Sequence, residues 1–284
     1  MPLVRLAEVL RDARKCRYAV PSFNVVTLEM IDGVLRASEV KRSPLVIGLA
    51  ARHLDTVDPS LIAGAVRAGA AKASVPVVFH LDHAESLEII KLGIEIGCTS
   101  VMIDGSKLPL KENVCLTEEV TSYAHERGVS VEAELGAVGG VEGEIEGGES
   151  LNLYTDPMQA AEFVRQTGID ALAVAIGTVH GLYRSAPRLR FDLLENIVRS
   201  TDVPLVLHGG SGLSAEDFSR LIALGITKIN VFTELALRCA ERLRKNLCGR
   251  SAPVSITEVM KGVPEDLANV AADLMDTFQS ASKA

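Results

Sequence analysis

The sequence predicts an α/β fold: a single (β/α)8 TIM barrel over residues 1–284, with one helix before the barrel and one after it. Three observations lead to this prediction. The length of 284 residues is typical of one closed α/β barrel. Short apolar runs alternate with segments of helical spacing, which indicates parallel strands buried on both faces. Eight such units favour a closed barrel over an open doubly wound sheet, and no GxGxxG follows the first strand.

The elements follow one another in a regular order. The N-terminal segment MPLVRLAEVLRDARKCRYAV predicts an amphipathic helix, because charges interrupt its apolar positions. The predicted strands are AVPSFNVV, PLVIGLA, VPVVFHLD, SVMIDG, VSVEAELG, ALAVAIG, VPLVLHGG and TKINVFT. Helices are predicted between them at segments such as LEMIDGVLRASEV, SLEIIKLGIEIG, PMQAAEFVRQTG and AEDFSRLIALG. After the eighth unit, DLANVAADLMDTF predicts the additional helix.

Composition excludes several classes of partner. The formal charge of -8 provides no basic surface for nucleic acid. The five cysteines are scattered and form no CxxC pair, which argues against a disulfide framework or a cysteine zinc knuckle and favours a cytoplasmic location. The N-terminus does not have the pattern of a signal peptide. No apolar run approaches the roughly 20 residues that span a bilayer, so no membrane association is expected.

Polar residues interrupt the apolar strands mainly at their ends. In a barrel of this class the chemistry lies at the C-terminal ends of the strands. The candidates are His80, Asp82 and His83 on strand three, Glu132 and Glu134 on strand five, His180 after strand six, and His208 after strand seven.

Three of these histidines predict a metal site. His83, His180 and His208 would present three neutral imidazoles with a fourth position open, which is the usual ligand set of catalytic zinc. Taken singly, each histidine favours a hydrogen-bonded polar residue at the barrel rim, but three at the ends of strands three, six and seven favour the metal. His80 faces the same side as Asp82, one pleat deeper, and is expected to support it.

Two further segments suggest substrate contacts. HGGSGLSAEDF places Gly209, Gly210 and Ser211 before a helix, where free backbone N–H groups favour an anion such as phosphate. Asn230 and Thr233 add donors after strand eight, although the glycines alone are also compatible with a tight turn. The glycine-rich stretch 136–150 predicts a mobile loop, in which Glu142, Glu144, Glu146 and Glu149 are either solvated or include one catalytic glutamate on a lid.

The ordered motifs HLDH, MIDGS, VEAELGAVGG, AIGTVHG, LVLHGGSG and KINVFTEL resemble those of the class II (zinc-dependent) fructose- and tagatose-bisphosphate aldolases over nearly the whole chain. The resemblance implies reversible cleavage of a ketose phosphate to dihydroxyacetone phosphate and an aldehyde. It implies Zn2+, allows for a monovalent cation (Na+ or K+) near the phosphate site, and implies a homodimer or homotetramer.

The resemblance also assigns roles to individual residues. His83, His180 and His208 match the zinc ligands, Asp82 matches the catalytic acid/base, and Glu142 matches the loop glutamate that moves a proton. Asp104 and Glu134 match carboxylates near the metal. The residues that match substrate contacts are Asn24, Gly181, Gly209, Gly210, Ser211, Asn230, Val231, Phe232 and Thr233.

Four departures from the family pattern loosen the substrate assignment. Arg184 replaces the lysine of the HGxYK pattern, the segment around Ala50 lacks a serine, Ala84 replaces a glycine, and the C-terminal segment retains only Lys283. Two alternatives remain at this point. One is a non-catalytic barrel that binds sugar phosphates, and the other is a different zinc-dependent barrel enzyme that uses the same histidines.

Overall fold

Eight parallel strands close into a barrel in the order in which they occur along the chain: β1 (Val20–Asn24), β2 (Leu45–Ala50), β3 (Val77–Ala84), β4 (Ser100–Ile103), β5 (Ser130–Leu135), β6 (Ala171–Val174), β7 (Leu205–Leu207) and β8 (Ile226–Val231). The computed structural model describes residues 3–139, 154–181, 183, 187–249 and 253–284. Each segment predicted as a strand overlaps one of these strands, although β3 ends two residues later and β8 begins one residue earlier than predicted. The predicted (β/α)8 barrel is therefore confirmed.

Helices connect the strands and surround the barrel: α1 (Leu6–Cys16), α2 (Leu28–Lys41), α3 (Pro59–Lys72), α4 (Leu87–Glu95), α5 (Leu110–His125), α6 (Pro157–Thr167), α7 (Phe191–Ser200), α8 (Ala215–Leu224), α9 (Thr233–Leu247), α10 (Ile256–Val259) and α11 (Val263–Thr277). A short 3-10 helix, Ala51–His53, follows β2. Side chains at several N-caps accept backbone N–H groups, as Thr27, Ser86 and Ser214 do. Among the described helices, none combines the length and apolar character that crossing a membrane requires.

The predicted N-terminal helix α1 closes the lower end of the barrel. Its buried residues Leu6, Val9, Leu10 and Ala13 form one apolar cluster with side chains that point into the barrel. The strand residues of this cluster are Val20, Val46, Val78, Met102, Ala171, Ala173 and Val206. The opposite faces of the strands pack against the surrounding helices. The lower interior of the barrel is therefore largely apolar, although Ser130 Oγ accepts from the backbone N–H of Ala7 on α1 there.

The predicted C-terminal helix α11 packs against α2 and α9. The chain then ends beside the C-terminus of α2, where the backbone N–H groups of Ser282, Lys283 and Ala284 donate to the carbonyls of Lys41 and Arg42. The C-terminus of α2 leads into the first residues of β2. The last residues of the chain therefore lie near the lower end of the barrel.

Candidate active site and metal centre

The polar side chains predicted at the strand ends meet at the upper mouth of the barrel. Alternation predicts that Asp82 and His83, as adjacent residues, point to opposite faces of β3. However, β3 contains one extra residue relative to β4 between Leu81 and Ala84. Both Leu81 and Ala84 pack in the core between the sheet and the helices. The bulge therefore lets Asp82 and His83 both face the mouth.

His83 adopts an unusual backbone conformation at this bulge. Its φ of 50° lies in the left-handed region, which residues other than glycine seldom adopt. Such a conformation persists only where the surrounding structure compensates for its cost. Here it brings the imidazole towards the mouth of the barrel, where it contacts His180 and His208.

The three predicted metal ligands do converge. The ring centroids of His83 and His208 lie 4.6 Å apart, and those of His83 and His180 lie 5.1 Å apart. One nitrogen of each ring lies within 4.8 Å of the others, and His83 Nε2 lies 2.9 Å from His208 Nδ1. Tetrahedral zinc with Zn–N bonds of about 2.0–2.1 Å would separate its ligand nitrogens by about 3.3 Å. The cluster fits a metal ion after small side-chain adjustments.

The three histidines differ in how readily each carries a proton. Burial and the positive charge on His83 lower the pKa values of His180 and His208, which favours neutral imidazoles. Burial also opposes protonation of His83, but the nearby carboxylates of Asp82 and Asp104 outweigh it and raise the pKa of His83. A cation is thus favoured at the centre of the cluster, whether it is a proton on His83 or a metal ion among the three rings.

Asp82 is fully buried and held by two amides. Asn24 Nδ2 donates to Asp82 Oδ2 at 2.7 Å, and Asn230 Nδ2 lies 3.2 and 3.3 Å from the two carboxylate oxygens. His80 Nε2 lies 3.6 Å from Asp82 Oδ1, and its Nδ1 lies 2.9 Å from Ser100 Oγ. Burial alone would raise the pKa of Asp82, but the charges of His83 and other neighbours lower it well below its usual value. Asp82 is therefore an oriented carboxylate next to the histidine cluster.

Asp104 and Glu134 lie on the other side of His83. Asp104 Oδ2 lies 2.9 Å from His83 Nδ1, and Asp104 Oδ1 accepts from the backbone and the hydroxyl of Ser106. Burial and the neighbouring Asp104 charge raise the pKa of Glu134 to about 8. Glu134 Oε2 has no hydrogen-bond partner among the described residues. Both predicted carboxylates are thus within reach of a cation beside His83, and one of them has a free oxygen.

The predicted phosphate loops follow β7 and β8. Gly209 has a φ of 69°, and a Cβ added to it would lie 2.4 Å from the carbonyl oxygen of Val179, so only glycine fits here. The hydroxyl of Tyr183 accepts from Val179 N–H at 3.3 Å and donates to the Gly209 carbonyl at 2.7 Å. The loop that carries His180 is therefore tied to the loop that follows His208.

The remaining predicted substrate contacts border the same mouth. Gly181, with a φ of 84°, directly follows His180. Val231 ends β8, Phe232 precedes α9, and Thr233 is the first residue of α9. Ser211 and Thr233 are both buried. The loops after β7 and β8 thus adjoin the histidine cluster, as a phosphate-anchoring function requires.

Some predictions lie outside the described residues. The loop carboxylates Glu142, Glu144, Glu146 and Glu149 fall in 140–153, and Arg184 falls in 184–186. The proposed role of Glu142 therefore depends on the sequence alone.

Sequence reasoning missed a buried lysine. Lys228, in β8, lies inside the barrel, where its Nζ is 2.7 Å from Glu132 Oε2. Glu132 is one of the polar residues predicted on strand five, without an assigned role. Its Oε1 lies 2.9 Å from His208 Nε2. Burial would raise the pKa of Glu132, but Lys228 and His208 lower it to about 2. A lysine within the predicted strand TKINVFT was the signal that was available.

His53 is a second residue that the strand-end pattern omitted. It closes the 3-10 helix after β2, and its ring centroid lies 4.9 Å from that of Phe232. Its Nδ1 is buried without a hydrogen-bond partner in the described part of the chain. Ala50, three residues earlier, pairs with Asp82 in the sheet. A ring nitrogen of His53 therefore lies beside Phe232, close to the mouth.

The chain is similar to several known proteins. The family model described as "Fructose-bisphosphate aldolase class-II" matches residues 4–283. The chain is 44% identical over 252 residues to a fructose-bisphosphate aldolase of Geobacillus stearothermophilus, covering 87% of this chain and 86% of the relative. It is also 44% identical over 247 residues to a 6-phospho-5-dehydro-2-deoxy-D-gluconate aldolase of Bacillus licheniformis, covering 86% and 84%. The crystal structure of the YdjI aldolase from Escherichia coli K12 is similar, with a TM-score of 0.88, 35% identity and 99% coverage of both chains.

Proposed function

Because the chain belongs to the class II fructose-bisphosphate aldolase family, whose members are metal-dependent carbon–carbon lyases, we propose that it is a zinc enzyme that reversibly cleaves a ketose 1-phosphate to dihydroxyacetone phosphate and an aldehyde. Fructose 1,6-bisphosphate, tagatose 1,6-bisphosphate and related ketose 1-phosphates are the candidate substrates. One observation carries the proposal: three histidines converge beside a buried carboxylate that is oriented by two asparagines. We assign residues 1–284 to one catalytic domain.

His83, His180 and His208 would hold the metal, with Asp104 and Glu134 close to His83. When bound, zinc supplies Lewis-acid stabilisation of the negative charge that develops on the dihydroxyacetone phosphate half. The geometry suits zinc because each ring offers one nitrogen to a common point.

Asp82 would accept the proton of the C4 hydroxyl as the C3–C4 bond breaks. C4 then becomes the aldehyde carbon, and the electron pair of the broken bond stays on C3. Asn24 and Asn230 hold the carboxylate while it remains ionised, because both donate N–H groups to it. In synthesis Asp82 returns the proton to the oxygen at C4. Glu142 is proposed to deliver the proton that C3 gains in cleavage, which yields dihydroxyacetone phosphate.

The loops after β7 and β8 would anchor the phosphate. Gly209, Gly210 and Ser211 precede α8, and Val231, Phe232 and Thr233 lead into α9, so backbone N–H groups are available on both sides. Gly181 and Asn24 complete the proposed contacts, and a monovalent cation beside the phosphate would reduce its charge. Anchoring the phosphate determines which carbonyl reaches the metal.

One basic side chain of the C-terminal segment bears on the aldehyde half of the substrate. Lys283, the one basic residue of the C-terminal segment, lies with its Nζ 5.8 Å from the centroid of the Tyr18 ring. Tyr18 belongs to the apolar cluster at the lower end of the barrel. Lys283 of the same chain therefore lies away from the mouth and is not a candidate to contact a second phosphate there.

A substrate panel tests the proposal. Purified protein with measured zinc content is assayed for release of dihydroxyacetone phosphate from fructose 1,6-bisphosphate, tagatose 1,6-bisphosphate and 6-phospho-5-dehydro-2-deoxy-D-gluconate. In the reverse direction, dihydroxyacetone phosphate is combined with phosphorylated and unphosphorylated aldehydes. Metal-dependent condensation with at least one aldehyde is expected. Binding of dihydroxyacetone phosphate without turnover would support the non-catalytic barrel, and failure to bind it would support another zinc enzyme.

The predicted homodimer or homotetramer and the cytoplasmic location stay predictions from the resemblance and the composition.

A further inference from the structure

A chain of three buried side chains extends from the barrel interior to the histidine cluster. Lys228 on β8, Glu132 on β5 and His208 after β7 each have a relative exposure of 0%. Lys228 Nζ lies 2.7 Å from Glu132 Oε2, and His208 Nε2 lies 2.9 Å from Glu132 Oε1. The proposed reaction uses neither Glu132 nor Lys228, so this pair requires its own explanation.

The contact with Glu132 decides which nitrogen of His208 is available. An ionised carboxylate only accepts hydrogen bonds, so His208 Nε2 must carry the hydrogen that it donates to Glu132. A neutral imidazole then has its lone pair on Nδ1. His208 Nδ1 is the atom that faces the other rings, 2.9 Å from His83 Nε2.

Lys228 explains how Glu132 can be a buried carboxylate that accepts the hydrogen of His208 Nε2. A buried carboxylate is costly unless a counter-charge and hydrogen bonds compensate it. The ammonium group of Lys228 balances the carboxylate at 2.7 Å. Because Lys228 is fully buried and paired, it is also unsuited to attack a substrate carbonyl as a Schiff-base lysine would.

We propose that Glu132 and Lys228 are positioning residues that hold His208 as the Nε2–H tautomer, with Nδ1 directed at the metal. The inference rests on the proposed function insofar as it assumes that His208 binds a metal. Partners of this kind, a carboxylate behind a ligating histidine, typically raise metal affinity about 10–100-fold. The pair therefore contributes to metal affinity without touching metal or substrate.

The double variant E132L/K228M tests the proposal in the full chain, because leucine leaves no acceptor for His208 Nε2. Removing both charges together avoids leaving one buried charge unpaired, which is the change most harmful to folding. The dissociation constant for Zn2+ is measured by competition with a chelator, the Co2+-loaded form is examined by visible absorption, and the metal-free protein is melted to verify folding. We expect a folded protein whose Kd for zinc rises about 10–100-fold and whose Co2+ bands shift. A folded variant with wild-type Kd and Co2+ bands would overturn the proposal.

A matched control separates positioning from general loosening of the barrel. S100A removes another buried hydrogen bond inside the barrel, the 2.9 Å contact between Ser100 Oγ and His80 Nδ1, without touching His208. Its Kd for zinc is expected to equal that of the wild type. An equal loss of affinity in S100A would contradict a specific role for the Glu132–Lys228 pair.

A measurement on the wild type keeps the proposal testable if the double variant does not fold. In zinc-loaded protein labelled with 15N-histidine, the His208 resonances should show a protonated Nε2 and a metal-bound Nδ1. The opposite tautomer would refute the inference. None of these measurements requires aldolase turnover. If the substrate panel fails, the proposed reaction is rejected. The positioning role of Glu132 and Lys228 is still decided by the zinc affinity, the Co2+ spectrum and the His208 resonances.

Discussion

Gly48 and Asn24 are neighbours in the sheet, and the Asn24 side chain occupies the space next to Gly48. The two residues pair in register between β1 and β2. A Cβ atom added to Gly48 would lie 2.0 Å from Asn24 Oδ1. Asn24 in turn donates to Asp82 at 2.7 Å. The missing side chain at position 48 therefore allows Asn24 to orient the proposed acid/base.

Gly48→Ala should impair catalysis through Asn24. The new methyl group displaces the Asn24 amide and weakens its bond to the Asp82 carboxylate, a type of bond worth about 1.5–3 kcal/mol. We expect kcat to fall roughly 10–100-fold, in line with that energy, with zinc content unchanged. Gly64→Ala is the control, because nothing lies within 4 Å of a Cβ placed there. If kcat of Gly48→Ala matches that of Gly64→Ala, Asn24 does not orient Asp82.

Asp82→Ala should abolish most cleavage while retaining the metal. The variant removes the proposed proton acceptor for the C4 hydroxyl, and general acid–base catalysis typically contributes about 10²–10⁴-fold. Steady-state kinetics and zinc analysis on the same preparation measure both effects. Near-normal cleavage with zinc bound would show that another group moves this proton.

His208→Ala should lose zinc. Its Nδ1 is one of the three nitrogens that converge, and two remaining imidazoles are too few for a stable site. Elemental analysis after dialysis is expected to show zinc far below one equivalent. His125→Ala is a matched control, since His125 lies on the surface and pairs with Asp170. Full occupancy in His208→Ala would remove this residue from the ligand set.

Tyr183→Phe should weaken substrate binding more than turnover. The variant deletes only the hydroxyl that joins Val179 N–H to the Gly209 carbonyl. Loss of a neutral hydrogen bond of about 1 kcal/mol corresponds to roughly a fivefold rise in KM for the phosphorylated substrate. Tyr123→Phe, on α5, serves as the control. A large fall in kcat with unchanged KM would instead place Tyr183 in the chemical step.

Asp266→Asn should lower stability in a pH-dependent way. Arg242 Nε lies 2.6 Å from Asp266 Oδ2 and joins α9 to α11, and this bond lowers the pKa of Asp266. A lowered carboxyl pKa stabilises the fold above the unfolded value of about 3.9, and this stabilisation is lost as pH falls through the folded pKa. Wild type should therefore have the higher urea midpoint between pH 6 and 8.

The difference in urea midpoint between wild type and Asp266→Asn should then narrow below about pH 4, where the carboxyl group of the unfolded chain becomes protonated. Glu265→Gln, which alters the exposed contact between Glu265 and Arg36, should show little difference at any pH. A midpoint difference for Asp266→Asn that does not change with pH would contradict an ionic contribution.

Much of the site was predictable because its residues interrupt apolar strands at a shared edge. In a barrel of parallel strands, the C-terminal ends meet at one mouth, so His180 and His208 could be brought together from their positions alone. The glycines after β7 were predictable for a similar reason, since backbone N–H groups before a helix favour an anion. His53 was missed because it follows a strand by three residues and carries no motif.

The sequence by itself determined the order and number of strands, the two flanking helices and the set of polar residues at the mouth, because these depend on local periodicity and strand direction. Only the tertiary structure decided that a bulge turns both Asp82 and His83 inward, that Lys228 balances Glu132 behind His208, and that Lys283 lies at the opposite end. Glu132 and Lys228 are 96 positions apart, and Glu132 and His208 are 76 apart. Contacts at such separations arise only when the barrel closes, so no local pattern specifies them.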